Sequence, residues 1–211
     1  MNQHDKPEAL LLISTHCPHC HTLQTLLEQR LSQGKIKSMT VVNIDETEDA
    51  AVKYNVRSVP WLKLGIFEFN ESLTPAELDH WIATVSEDDG SIKFLQYLME
   101  NGKLQKVIEW LEQGNTSLQE FASLIIKPDI KINGRIGIGA VMEHFEGTAA
   151  IAGIIPGLKE MLKNDSAVIR TDVCHYLMLT HNTNVKASIE ELLDDKDAEV
   201  RKTALESLEE L

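Results

Sequence analysis

What this sequence has little of narrows its chemistry. Only three cysteines occur in 211 residues, Cys17, Cys20 and Cys174. That is too few for a secreted fold held together by several disulfides. No stretch approaches the ~18 consecutive apolar residues of a membrane span. Positive charge is scarce too: 20 Lys and Arg against 33 Asp and Glu give a net charge of −13. Nucleic acid and anionic lipid require a basic patch, so neither is expected as a partner. The opening "MNQHDKPEALLLIS" holds one lysine, an apolar run too short for a secretory leader, and no small-residue cleavage site. The expected location is the cytoplasm; a periplasmic one requires a leader that has been removed.

Two rhythms follow one another along the chain. Up to Val85 the pattern mixes strands and helices. Ala9 to Ile13 is a continuous apolar run, the mark of a strand buried on both faces. Cys17 to Leu31 has helical spacing, with Leu23, Leu27 and Leu31 on one side. "MTVVNI", Met39 to Ile44, reads as a second strand, and a short helix is expected within Glu46 to Tyr54. "VPWLKLGIFEFN" reads as a hairpin turning near Gly65. "LTPAELDHWIATV" reads as a helix with Thr74 as N-cap, Pro75 at the first helical position and Glu77 completing a capping box. The expected order is β-α-β-α-β-β-α.

Past Val85 the strand signal is missing. "SEDDGS" is a polar break, which sets expected domains at 1–86 and 87–211. Amphipathic helices then succeed one another, and Asn101-Gly102 and Gly114 mark natural stops. The tail repeats itself. "LKEMLKNDSAVIRTDVCHYL" from Leu158 returns as "IEELLDDKDAEVRKTALESL" from Ile189, 31 residues on. Arg170/Arg201 and Leu177/Leu208 are identical at that offset, and Ile169/Val200 and Val173/Ala204 stay apolar. A two-helix unit stacked in this way is the signature of an α-solenoid. The acidic turn followed by x-V-R resembles HEAT-like repeats. "NGRIGIGAVMEHF" supplies an earlier inner helix of the same kind.

The chemistry-bearing stretch is "HCPHCH", His16 to His21. Cys17 falls in the first turn of the predicted helix, and Cys20 on its apolar face. Cys20 is therefore the expected buried sulfur and Cys17 the exposed one, one helical turn apart and close enough to bridge. Pro18 suits the first helical positions, where a missing N–H costs nothing. Unpaired N–H groups and the helix dipole favour a thiolate at Cys17, and the thiolate is the nucleophile. His19, and with it His16 and His21, adds positive charge when protonated, which favours the reduced pair and makes its disulfide more oxidising. Two other readings stand beside this one. The cysteines are an ordinary buried pair, or the Cys/His cluster, with His4, ligates or transfers a metal. A closed zinc site, however, needs four ligands, and no second knuckle exists here.

"CPHC" after a buried strand, with "SVP" about forty residues on and leading a hairpin, resembles the thioredoxin superfamily over roughly residues 8–85. The resemblance implies an α/β thioredoxin-like domain, and the repeats add an all-α HEAT-like solenoid after it. It implies a thiol–disulfide oxidoreductase without added cofactor. It also implies that Pro60, preceded by Val59, is a cis proline that faces the pair and positions a partner chain. The "PHC" variant is similar to the periplasmic disulfide oxidants, whereas the missing leader suits a reducing compartment. Departures are visible. His16 replaces the aromatic residue that often precedes the first cysteine, and Ala9 to Ser14 holds no buried acid to take the Cys20 proton. Glutathione-binding residues are not recognisable.

The helical half is expected to serve as adaptor for a protein client, with oligomeric state open. The alternative reading is an interaction scaffold or redox sensor built on the repeats. Elsewhere, Cys174 reads as a core cysteine, since its counterpart at the repeat offset is Leu205. "GRIGIG", Gly134 to Gly139, follows no predicted strand and reads as close helix packing rather than a phosphate loop. Trp61, Trp81 and Trp110 read as core, with Trp61 also a candidate to flank the site. His80, His144 and His181 read as isolated, and "ELLDDKDAE" as a solvated turn.

Overall fold

The apolar run near the head of the chain becomes the middle of a sheet. In the computed structural model, which describes residues 6–47 and 49–211, two compact units occur, Met1–Ser91 and Ile92–Leu211. The first unit runs β1 (Glu8–Ile13), α1 (Pro18–Ser32), β2 (Ser38–Asn43), α2 (Ala50–Lys53), β3 (Trp61–Leu64), β4 (Phe67–Phe69) and α3 (Pro75–Thr84). The strand order is β2-β1-β3-β4. β1 pairs parallel with β2, in register Leu11↔Val41, and antiparallel with β3, in register Leu11↔Leu62. A central strand covered on both faces explains the unbroken apolar run: Leu11 and Leu12 are fully buried. Parallel β1 and β2 need a crossover, which α1 provides.

Gly65 turns the β3–β4 hairpin at φ +58°, and a side chain there would meet Val85 at 2.8 Å. Thr74 and Glu77 close their capping box, with Glu77 Oε2 accepting from the Thr74 N–H at 2.7 Å. Trp81 packs edge-on against Phe67. The buried stripe of α1 differs from the expected one. It runs Cys20, Leu23, Leu27 and then Arg30, while Leu31 is 38% exposed. Arg30 is drawn in by Asp79 of α3, which accepts from its Nε at 2.9 Å and its Nη2 at 3.0 Å. The aliphatic stem of Arg30 covers apolar surface while its head is paired.

The second unit is helical, with no strand among the described residues. It holds most of α4 (Gly90–Glu100), then α5 (Leu104–Glu112), α6 (Leu118–Ala122), α7 (Ile132–His144), α8 (Ala149–Gly153), α9 (Ile155–Met161), α10 (Ala167–Met178), α11 (Lys186–Glu190) and α12 (Ala198–Glu210), with short 3-10 turns between some of them. No helix among the described residues is long and apolar enough to cross a membrane. "GRIGIG" lies inside α7, where a side chain at Gly137 would meet Met99 at 3.0 Å, so small residues there do serve close helix packing.

The repeat offset holds for Ile169/Val200 and Val173/Ala204, buried in both copies. It fails for Cys174, which is fully buried, against Leu205, which is 54% exposed. The reason is position: α10 packs against both α7 and α12, whereas α12 packs against α10 and α11. "ELLDDKDAE" is not simply a solvated turn. Asp197 caps α12, accepting from the Glu199 N–H at 2.9 Å. Asp195 accepts from Nε and Nη2 of buried Arg170, each at 2.8 Å. Arg170 Nη1 also donates to the carbonyls of Asn164 and Asp165 at 2.8 and 3.0 Å, locking one inter-helix turn to the next.

Candidate functional site

Parallel β1 and β2 end on the same edge of the sheet, and the residues that follow them meet there. The β1 chain leaves through Ser14, Thr15 and His16 and enters α1 at Cys17, which is the helix N-cap. Pro18 occupies the first helical turn. Cys17 Sγ accepts from the Cys20 N–H at 3.2 Å. The amide dipoles of a fifteen-residue helix therefore point at this sulfur. Cys17 is half-buried and Cys20 fully buried, as the helical phase requires. The two are joined in a disulfide, with Cα atoms 5.3 Å apart.

Across the sulfurs lies the segment before β3. Val59–Pro60 is a cis peptide, and Val59 O lies 3.9 Å from Cys17 Sγ. Pro60 is buried and Val59 half-buried. Four of the residues singled out in the sequence, Cys17, Cys20, Val59 and Pro60, thus share one locus. A family model described as thioredoxin domain matches residues 9–82. The N-terminal unit is a thioredoxin-like α/β domain with a mixed four-stranded sheet, followed by a predominantly helical region. No curated protein matches the chain.

Around the disulfide of this thioredoxin-like domain, His16, His19 and His21 are all exposed, as is Pro18. His21 Nε2 turns back to Thr15 O at 3.3 Å. Trp61 lies in the core with Leu12 and Val56 and against Tyr54, at 5.7 Å between ring centroids, so it is packing beneath the site. Among the described residues no group of three or more His, Cys, Asp or Glu gathers to hold a metal ion; His4 lies outside the described residues.

Two residues that sequence reasoning missed hold the loop leading into Cys17. Asp45, just past β2, accepts through Oδ2 from the Ser14 hydroxyl at 2.9 Å and the Thr15 N–H at 2.8 Å. Asn43 Nδ2 donates to Thr15 Oγ1 at 3.0 Å. The Asp45 carboxyl is held below the usual carboxylate range, first by the Thr15 N–H, then by the Ser14 hydroxyl, with a smaller contribution from the charge of His16. The signal was available: a parallel β1–β2 pair places the residues after Asn43 beside those after Ile13.

The remaining candidates belong to the helical unit. Burial pushes the Cys174 thiol up to about 11, against a weak contact with Ser207 Oγ at 3.8 Å, which marks it as an inert core thiol. His144 and His181 are not isolated: Glu112 lies 3.0 Å from the first and Glu146 2.7 Å from the second. Glu112 comes from α5 and Glu146 from the turn after α7, so the pairing is invisible in local sequence. His80 packs edge-on against Trp81.

Proposed function

We propose that this protein is a thiol–disulfide oxidoreductase working through Cys17 and Cys20. The observation that carries the reading is the asymmetry of the pair: Cys17 sulfur, partly exposed, faces the first-turn amide of α1, while its disulfide partner Cys20 is sealed in the core. In the reduced protein, Cys17 thiolate attacks one sulfur of a partner disulfide. The partner S–S bond breaks, its other sulfur leaves as a thiolate, and a mixed disulfide remains. Cys20 then gives up its proton and attacks Cys17. The Cys17–Cys20 disulfide forms and the second partner sulfur leaves, so two electrons pass from the pair to the client. The oxidised protein runs the same steps backwards.

In this reading the Val59 backbone and Pro60 hold the partner chain beside Cys17. His16, His19 and Pro18 set the thiolate environment, and no added cofactor takes part. The HEAT-like helical repeats serve as adaptor for a protein client, which the acidic surface suits better than nucleic acid.

The Cys20→Ser variant tests the mechanism. Mixed with a disulfide-bonded model peptide, it accumulates a covalent adduct at Cys17, seen as one added peptide by intact mass and released by dithiothreitol. The wild-type protein shows no such adduct, because Cys20 resolves it. Absence of the adduct at long incubation counts against Cys17 as nucleophile.

A further inference from the structure

The loop that delivers Cys17 to its helix is largely exposed yet tied at Ser14 and Thr15. Thr15 uses each of its polar groups: its N–H donates to Asp45 at 2.8 Å, its hydroxyl oxygen accepts from Asn43 at 3.0 Å, and its carbonyl lies 3.3 Å from His21 Nε2. Ser14 is tied on both sides as well, its hydroxyl to Asp45 at 2.9 Å and its carbonyl to the Cys17 N–H at 3.2 Å. Asp45 is itself braced, its N–H donating to Asn43 Oδ1 at 3.1 Å. Thr15 and Asp45 are both exposed, so these bonds bury little apolar surface and contribute little to the core. What they fix is the path of three residues ending at the reactive sulfur.

We infer that Asp45 is a positioning residue for Cys17: it clamps Ser14 and Thr15 so that the Cys17 sulfur is held over the first-turn amides of α1. This rests on the redox reading above. The clamp acts through hydrogen bonds to an acceptor oxygen rather than through charge, because Asp45 sits in water, where charge is screened, and a second negative charge near Cys17 would oppose its thiolate. Removing the acceptor therefore harms the thiolate, and restoring a neutral acceptor rescues it. Small displacements of a reacting group have large kinetic effects.

The experiment compares reduced wild type, Asp45→Ala and Asp45→Asn in their second-order reaction with oxidised glutathione, together with thiolate absorbance near 240 nm across pH. Asp45→Ala is expected to react about tenfold more slowly at neutral pH, with its thiolate profile moved to higher pH. Asp45→Asn, whose side-chain oxygen still accepts from Thr15, is expected to stay within about threefold of wild type. Ser14→Ala removes one of the two donors and keeps the assay decisive should Asp45→Ala fold poorly; it is expected to fall between the two. Equal rates and profiles in all variants overturn the Asp45 assignment, and so does an Asp45→Asn variant as slow as Asp45→Ala, which would make charge the cause. Wild-type protein that exchanges no disulfide at all overturns the redox reading instead.

Discussion

Cys17→Ser is expected to abolish disulfide exchange while leaving the fold intact. The loss is expected to be at least about a thousandfold, to the background of the uncatalysed reaction, because a serine hydroxyl is neither ionised near neutral pH nor able to form the mixed disulfide. Cys20 cannot take over as nucleophile, since it has no exposed surface. The variant nonetheless keeps its helix. Residue 17 is the N-cap of α1, its side chain accepting from the Cys20 N–H, and serine is among the best residues at that position. The expected result is an unchanged far-ultraviolet circular dichroism spectrum with no reduction or oxidation of a disulfide-bonded peptide. Activity retained in Cys17→Ser would move the chemistry elsewhere in the molecule.

The second large effect concerns the helical unit. Arg170→Ala is expected to destabilise it by about 3–5 kcal/mol, the cost of leaving one member of a buried ion pair alone. The side chains of Arg170 and Asp195 are 5% and 10% exposed. Alanine would strand the Asp195 carboxylate and remove the donor to the Asn164 and Asp165 carbonyls. Arg201→Ala is the control. Arg201 occupies the equivalent place one repeat later and donates to Asp195 O at 2.6 Å, but it is exposed. It is expected to cost no more than about 1 kcal/mol. Hydrogen exchange read by mass over α9 to α12 separates this unit from the thioredoxin-like domain, where a single unfolding curve would mix the two. The pair also sets an acid limit. Arg170, first among its causes, lowers the Asp195 pKa in the folded state. Its contribution is complete above the ordinary aspartate value of 3.8, declines as pH falls below that value, and is gone once pH has fallen through the lowered one. Exchange protection in α10 is therefore expected to hold down to the ordinary aspartate value of 3.8 and to decline below it.

Much of the thioredoxin-like domain was legible because its signals are local. A continuous apolar run announces a doubly covered strand, Gly65 announces its turn, and Thr74 with Glu77 announces a helix start. The sulfur asymmetry follows from helical phase, since Cys20 shares a face with Leu23 and Leu27. What escaped depends on neighbours far along the chain. Arg30 displaces Leu31 from the core because Asp79 waits on another helix. Leu205 is exposed where Cys174 is buried because α10 packs against α7 as well as α12, whereas α12 packs against α10 and α11. His144 and His181 look solitary until Glu112 arrives from α5 and Glu146 from the turn after α7. Asp45 was hidden differently. An acid after a strand is ordinary by itself and acquires meaning only when strand register places it beside the loop before Cys17.

The most direct measurement of the central claim is a redox equilibration. The protein is held in buffers of graded reduced to oxidised glutathione, quenched with alkylating reagent under denaturing conditions, and weighed intact. Cys174 is alkylated throughout, as a buried thiol with no partner to bridge. The account predicts that Cys17 and Cys20 lose both further alkyl groups together in one reversible two-electron transition. Cysteines that remain alkylated across the whole series, or are capped singly by glutathione without bridging, would contradict it.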